Sequence, residues 1–79
     1  MATFTVRQGK RYRASIELGW LEALASNELI ANKLAAAGFS EVSVSGSGGR
    51  RQAEALWPNA DSTGEMPAQI VAISEIGEA

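Results

Sequence analysis

One short segment of this sequence has residue types that could hold an anion. It consists of Gly46, Ser47, Gly48, Gly49, Arg50 and Arg51. Glycines let consecutive backbone amides point at one anion, and a guanidinium can bind a phosphate bidentately. The segment nevertheless lacks the lysine and spacing of a Walker loop and the third glycine of a dinucleotide fingerprint. A hairpin turn explains the glycines without a ligand, so the pattern favours a turn over a phosphate site.

Arg11 and Arg13 could extend this basic segment into a surface for nucleic acid. Residues 1–13 carry four positive charges and no acid, whereas residues 52–79 carry five acids and no base, within a net charge of −2. Binding of single strands on a sheet also needs exposed aromatic rings. Four of the five aromatic residues fall on positions that the pattern assigns to the core or its rim: Tyr12, Trp20, Phe39 and Trp57. Nucleic-acid or phosphate-ligand binding is therefore the alternative function and not the leading one.

The sequence contains no histidine and no cysteine. These two absences remove the usual metal ligands, the usual general base and the best nucleophile. The glutamates Glu17, Glu22 and Glu28 have no spacing that demands a catalytic pair, so they are interpreted as surface charges. We expect no enzymatic activity, no metal and no cofactor.

An apolar cluster, Trp20, Leu21 and Leu24, lies between the first strand and the helix. Such residues often plug the open end of a small core, but they can also form an exposed anchor for a partner. A thin core with a half-open sheet often completes itself by association. The sequence therefore predicts a protein partner, or self-association, more strongly than any catalytic site.

Alternation and helical spacing predict the elements before residue 40. Residues 11–18 alternate as a half-buried strand, and residues 3–18 are either one long strand or a hairpin turning around residues 8–10. Apolar residues recur at helical spacing from residue 30 to residue 37. Ser26 suits the N-cap and Gly38 the C-cap, which predicts one main helix over residues 26–37.

The pattern of the second half of the chain predicts mostly strands. Residues 41–45 alternate, and residues 50–57 fit a strand better than a two-turn helix, with Ala53, Ala55 and Trp57 facing inward. The polar residues 58–66, bounded by prolines, predict a mobile loop. β-Branched residues predict a last strand over residues 69–76, and residues 77–79 are a tail.

This order of elements predicts one α+β domain over residues 1–79. It has two layers: a mostly antiparallel sheet of three to five strands, and one helix on one face. A chain of 79 residues buries only about 60% of the surface of its unfolded form, so the core is thin. No apolar run exceeds four residues, which excludes a membrane-spanning helix, and Glu17 and Glu22 interrupt the stretch that resembles a signal sequence. We therefore expect a cytoplasmic, non-enzymatic interaction or structural domain that uses a sheet edge or the apolar cluster.

Overall fold

Two antiparallel sheets and one α-helix make up the computed structural model, which describes residues 3–20 and 22–78. In chain order the elements are β1 (Thr3–Val6), β2 (Lys10–Glu17), a 3-10 turn (Glu22–Leu24), α1 (Asn27–Ala37), β3 (Ser40–Ser47), β4 (Arg50–Trp57), β5 (Ser62–Glu65) and β6 (Ile70–Glu78). The strands β3, β4, β2 and β6 form, in that spatial order, a four-stranded sheet, while β1 pairs with β5. The predicted α+β class and the predicted order of elements are confirmed.

The two central strands place their apolar residues on the face that α1 covers. The buried apolar side chains of this face are Tyr12, Ala14, Ile16, Ala53, Ala55 and Trp57. Arg13, Gln52 and Glu54, which alternate with them, are exposed. Segment 50–57 is a strand because it pairs with β2 on one side and with β3 on the other, and this pairing supplies hydrogen bonds that a two-turn helix would lack.

The glycine-rich segment forms the predicted hairpin turn between β3 and β4. Ser47 pairs with Arg50, so the connection is the two residues Gly48 and Gly49, which is shorter than predicted. Gly48 has a φ of 64°, a conformation that favours glycine. The sequence of this segment is therefore explained by its turn geometry.

Both predicted caps of the helix are confirmed. The backbone amide of Leu29 donates to Ser26 Oγ at 3.0 Å, as an N-cap requires. Gly38, with a φ of 121°, donates to the carbonyl of Ala35, and Phe39 donates to that of Leu34, which is the hydrogen-bond pattern of a Schellman motif. No residue of α1 is fully buried, so the helix covers its face of the sheet loosely.

The small second sheet corrects two predictions. Residues 3–18 are neither one strand nor a hairpin, because the chain turns at Gly9 and β1 then pairs with β5 and not with β2. Segment 58–66 is not a loop throughout, since Ser62–Glu65 forms that partner strand. All four residues of β5 are exposed and none is apolar, so the strand leaves no alternation in the sequence.

The last strand is longer than predicted and irregular. It spans Ile70–Glu78, so residues 77 and 78 belong to a strand and not to a tail, while residue 79 lies outside the described residues. Gly77 pairs with Arg11, which explains the extension. Val71 and Ile76 fall at two breaks in the register with β2, where each is the extra residue of a β-bulge.

The main hydrophobic cluster lies where β4 ends and α1 ends. Val6, Tyr12 and Trp57 form its buried centre, and Phe4, Phe39 and Ile73 pack against them. The aromatic rings meet edge to face, at 5.5 Å between Phe4 and Tyr12 and 4.9 Å between Phe39 and Trp57. We call this region the closed end. Among the described residues, no helix is long and apolar enough to cross a membrane.

Candidate interaction surface

At the opposite end of the sheet, a groove separates α1 from the strands β2 and β6. Its volume is about 490 Å³. The helix contributes Leu29, Ile30 and Leu34, β2 and the residue after it contribute Ile16 and Leu18, and Pro67 and Ile70 lie on the side of β6. The groove exists because α1 packs mainly against β3, which leaves the half of the sheet formed by β2 and β6 without a helix.

Large apolar side chains stand exposed at the groove, where Leu29 lines it, and on the segment that contributes Leu18 and Glu22 to its lining. Trp20 is 82% exposed, Leu24 85% and Leu29 46%. The prediction that Trp20 lies in the core or its rim is therefore wrong, and neither Trp20 nor Leu24 plugs the end of the core. Leu21 lies outside the described residues. We call Trp20, Leu24, Leu29 and the adjacent groove the open-end surface.

A carboxylate fixes one side of the segment that carries Trp20. Glu22 Oε1 accepts a hydrogen bond from the backbone amide of Gly19 at 3.0 Å, and Oε2 accepts one from Gln69 Nε2 at 2.8 Å. These bonds, the one from Gly19 first, hold the pKa of Glu22 below its usual value because they stabilise the ionised form. The turn around Trp20 is thereby tied to the residue that precedes β6.

A buried arginine fixes the other side of the same segment. Arg51 is only 7% exposed. Its guanidinium donates to the carbonyls of Gly48 at 3.1 Å and Ala23 at 2.9 Å, and to Asn27 Oδ1 at 2.9 Å. Asn27 in turn donates from Nδ2 to the carbonyl of Gly46 at 3.1 Å. Arg51, a candidate anion contact in the sequence, thus joins the hairpin, the 3-10 turn and the start of α1.

The alternation of side chains along β4 predicts that Arg51 faces inward, although the charge of arginine argues against burial. Arg51 has the same parity along β4 as Ala53, Ala55 and Trp57, and all four side chains are buried on one face. Alternation alone would have placed Arg51 inside, but arginine is rarely buried without a partner. Two of its three partner oxygens, those of Ala23 and Asn27, come from segments 28 and 24 residues away, so they could be identified only from the structure.

The other candidate arginines are distributed along the opposite face. Arg11 forms an ion pair with Glu41, and Arg13 lies 3.6 Å from Glu54. Arg50 is exposed and pairs in register with Glu17, six residues along β2 from Arg11, a distance of roughly 20 Å at the rise of a strand. The structure therefore does not bring Arg11, Arg13, Arg50 and Arg51 into one site around the turn.

The backbone of the glycine turn also takes part in contacts within the protein. The carbonyl of Gly49 accepts from the amide of Leu18 at 2.8 Å, which attaches the turn to the end of β2. Gly46 has a φ of 99°, and a Cβ there would approach the carbonyl oxygen of Arg50 to 2.6 Å. Ser47 is exposed in the strand that precedes the turn. The close approach at Gly46 and the positive φ of Gly48 account for these two glycines by folding alone.

No described residues form a group of three or more carboxylates close enough together to hold a metal ion. The aromatic rings of Tyr12, Phe39 and Trp57 are used by the closed end, so Trp20 is the tryptophan available to a partner.

Comparisons with models of protein families, with curated proteins and with solved structures find no match to this chain.

Proposed function

We propose that this chain is a non-enzymatic interaction domain that binds a protein partner through the open-end surface. The observation that carries the proposal is a tryptophan 82% exposed beside an apolar groove of about 490 Å³. Tryptophan is the residue most enriched among those that dominate binding energies at interfaces. The groove volume also lies within the range of about 300–1,000 Å³ that is usual for binding pockets.

The hydrogen bonds around the open-end surface support binding by a surface formed in advance. Glu22 and Arg51 hold the segment from Gly19 to Asn27 against β6 on one side and the hairpin on the other. A surface that is already ordered loses less conformational entropy when a partner binds. The exposure of Trp20 is thus a property of an anchored segment.

The edges of the four-stranded sheet are less suited to a partner than the open-end surface. The edge strand β6 has bulges at Val71 and Ile76, and the edge strand β3 departs from regular pairing at Glu41 and Val42, where Glu41 has a φ of 50°. Bulges on edge strands oppose the addition of another strand. Of the two surfaces that the sequence suggests, the apolar one is therefore favoured.

An NMR titration of the ¹⁵N-labelled protein, kept dilute, tests this proposal. The two probes are an amphipathic helical peptide of leucine and lysine and a short single-stranded oligonucleotide at low salt. We expect the peptide to shift the amides of residues 18–34 and 67–70 in the wild type but not in Leu29→Glu. Val71→Ser, changed at a similarly exposed apolar residue outside the groove, is the matched control and should respond like the wild type.

Two results would contradict the proposal. One is that the peptide shifts no amide in the groove. The other is that only the oligonucleotide binds, with shifts confined to residues 46–51, which would instead support phosphate recognition by Arg50 and the turn.

A further inference from the structure

We infer that the open-end surface binds a second copy of this chain about a two-fold axis, with Trp20 of each protomer in the groove of the other. This inference rests on the proposed function and names the partner. It requires that one surface be complementary to itself, as in every two-fold symmetric interface.

The open-end surface contains both a projection and a hollow. Trp20 and Leu24 are the projection, since their side chains are 82% and 85% exposed. Both are close in sequence to residues that line the groove, among them Glu22. The groove is lined mainly by aliphatic side chains, including Ile30 and Ile70. A two-fold rotation places the projection of one copy opposite the hollow of the other, and the same contact then occurs twice.

Trp20 is not among the residues that line the groove of its own chain. The amide of Ala23 donates to the carbonyl of Gly19 at 2.8 Å, and Glu22 Oε1 accepts from the amide of Gly19. These two bonds close a tight turn around Trp20 and fix its backbone. Its side chain is exposed in that turn, so an apolar group from another molecule is needed to fill the groove.

The charges beside the groove are also complementary to themselves. Glu22 and Lys33 both line it, and Lys33 makes no ion pair with any described residue. A two-fold axis can bring Lys33 of one copy towards Glu22 of the other. The carboxylate of Glu22 can accept a further hydrogen bond beside those from Gly19 and Gln69, so the same pair can form twice. An acid and a base at the rim therefore favour a copy of the chain over a partner of one charge sign.

The size of the contact predicts a weak dimer. A tryptophan buries about 200 Å² and covers a similar area of its pocket, so two such contacts remove on the order of 800 Å² from water. Leu24 and Leu29 bring the total near the lower limit for specific interfaces, about 1,000–1,200 Å². We therefore expect a reversible dimer with a dissociation constant in the micromolar range.

Sedimentation equilibrium from about 1 µM to about 1 mM tests the inference, because this range spans a micromolar dissociation constant. We expect the wild type to change from monomer to dimer, and Trp20→Ser to weaken the dimer about 30-fold or more, as the loss of a central interface residue does. Leu29→Glu should act similarly. Val71→Ser, the matched control, should dimerise like the wild type.

Fluorine NMR on protein labelled with 5-fluorotryptophan identifies the contact and monitors folding. Trp57 is 8% exposed in the closed end and gives a reference signal, while the signal of Trp20 should shift with protein concentration. In a mixture of ¹³C-labelled and unlabelled protein, isotope-filtered NOEs should connect Trp20 of one copy to methyl groups of Ile30 or Ile70 of the other. An unchanged Trp57 signal in each variant shows that it still folds.

The possible failures are distinguishable. A wild type that stays monomeric to about 1 mM overturns the inference, because no micromolar dimer exists. If that monomer still binds the amphipathic peptide, the proposed function stands with a different partner; if it does not, both fall. A dimer that survives Trp20→Ser and Leu29→Glu and gives no intermolecular NOE to Trp20 forms through another surface, which also overturns the inference.

Discussion

The two ends of the four-stranded sheet use similar residues in opposite ways. At the closed end, Trp57 is 8% exposed, packs edge to face on Phe39 and donates from Nε1 to the carbonyl of Ala60 at 2.9 Å. At the open end, Trp20 is 82% exposed beside an unfilled groove. The small sheet of β1 and β5 makes the difference, because β1 contributes Phe4 and Val6 to the closed end, whereas no described element fills the groove beside Leu18 and Ile70 in the same way.

This difference suggests a division of roles within one thin core. The closed end contains the buried cluster of Val6, Tyr12 and Trp57. At the open end, the hydrogen bonds of Glu22 and Arg51, which we call polar clamps, hold the chain in place. Hydrogen bonds can keep an apolar surface exposed without collapse, because they fix the backbone that carries it. Stability should therefore depend on the closed end and binding on the open end.

Replacing each tryptophan by alanine should give the largest contrast. Trp57→Ala removes a buried ring and should lower the free energy of unfolding by about 3–5 kcal/mol, enough to unfold much of a small domain. Trp20→Ala should change it by less than about 0.5 kcal/mol, because the side chain is exposed in the monomer. Urea unfolding of dilute protein, followed by circular dichroism, measures both. Equal losses would show that the two ends share one core.

The two helix caps provide a second contrast, one at each end. Gly38 has a φ of 121°, and a Cβ there would lie 2.8 Å from the ring of Trp57, so Gly38→Ala should cost about 3 kcal/mol in strain and displaced packing. Ser26→Ala removes only the bond from the Leu29 amide and should cost about 1 kcal/mol. Urea midpoints at constant slope give both values. A larger loss for Ser26→Ala would contradict the assignment of stability to the closed end.

These contrasts also show what the sequence could and could not predict. Ser26 and Gly38 were predictable because caps depend on residue type and local spacing. β5 was not, because its residues carry no apolar alternation and its partner β1 is about sixty residues away. For Trp20, the signal of exposure in the sequence is that this residue does not fit the helical spacing of the apolar residues in α1 when the spacing is extended backwards from Ile30. Whether a residue that does not fit this helical spacing is buried elsewhere depends on tertiary packing, which the spacing of residues in the sequence does not encode.

The arginines Arg50 and Arg51 form a third pair, adjacent in sequence but on opposite faces of β4. Arg51→Met keeps much of the side-chain volume but leaves the acceptors on Gly48, Ala23 and Asn27 without a donor, so we expect a loss of about 2 kcal/mol. Arg50→Met, at an exposed position, should change stability by less than about 0.5 kcal/mol. Thermal unfolding checks both. Similar effects of the two changes would show that the Arg51 clamp contributes little.

The smallest expected effect is the pH response of the clamp at Glu22. The hydrogen bond from the Gly19 amide, and then that from Gln69, lower the pKa of this carboxyl in the folded protein. The unfolded chain therefore binds more protons near and below the ordinary glutamate pKa. The stabilisation by Glu22 is complete above that ordinary value and is lost as the pH falls through the lowered folded pKa.

An NMR pH titration of the Gly19 amide measures this response at the open end. We expect the Gly19 signal to titrate below the ordinary glutamate pKa in the wild type and to lose that transition in Glu22→Gln, which keeps the shape of the side chain. The signal of Trp57 Nε1 should stay unchanged through the transition, because no ionised group takes part in its hydrogen bond to the Ala60 carbonyl. A Gly19 transition at the ordinary value would mean that the carboxylate does not hold the turn. Trp20 would then be exposed because its segment is loosely attached, and the open-end surface would not be formed before a partner binds.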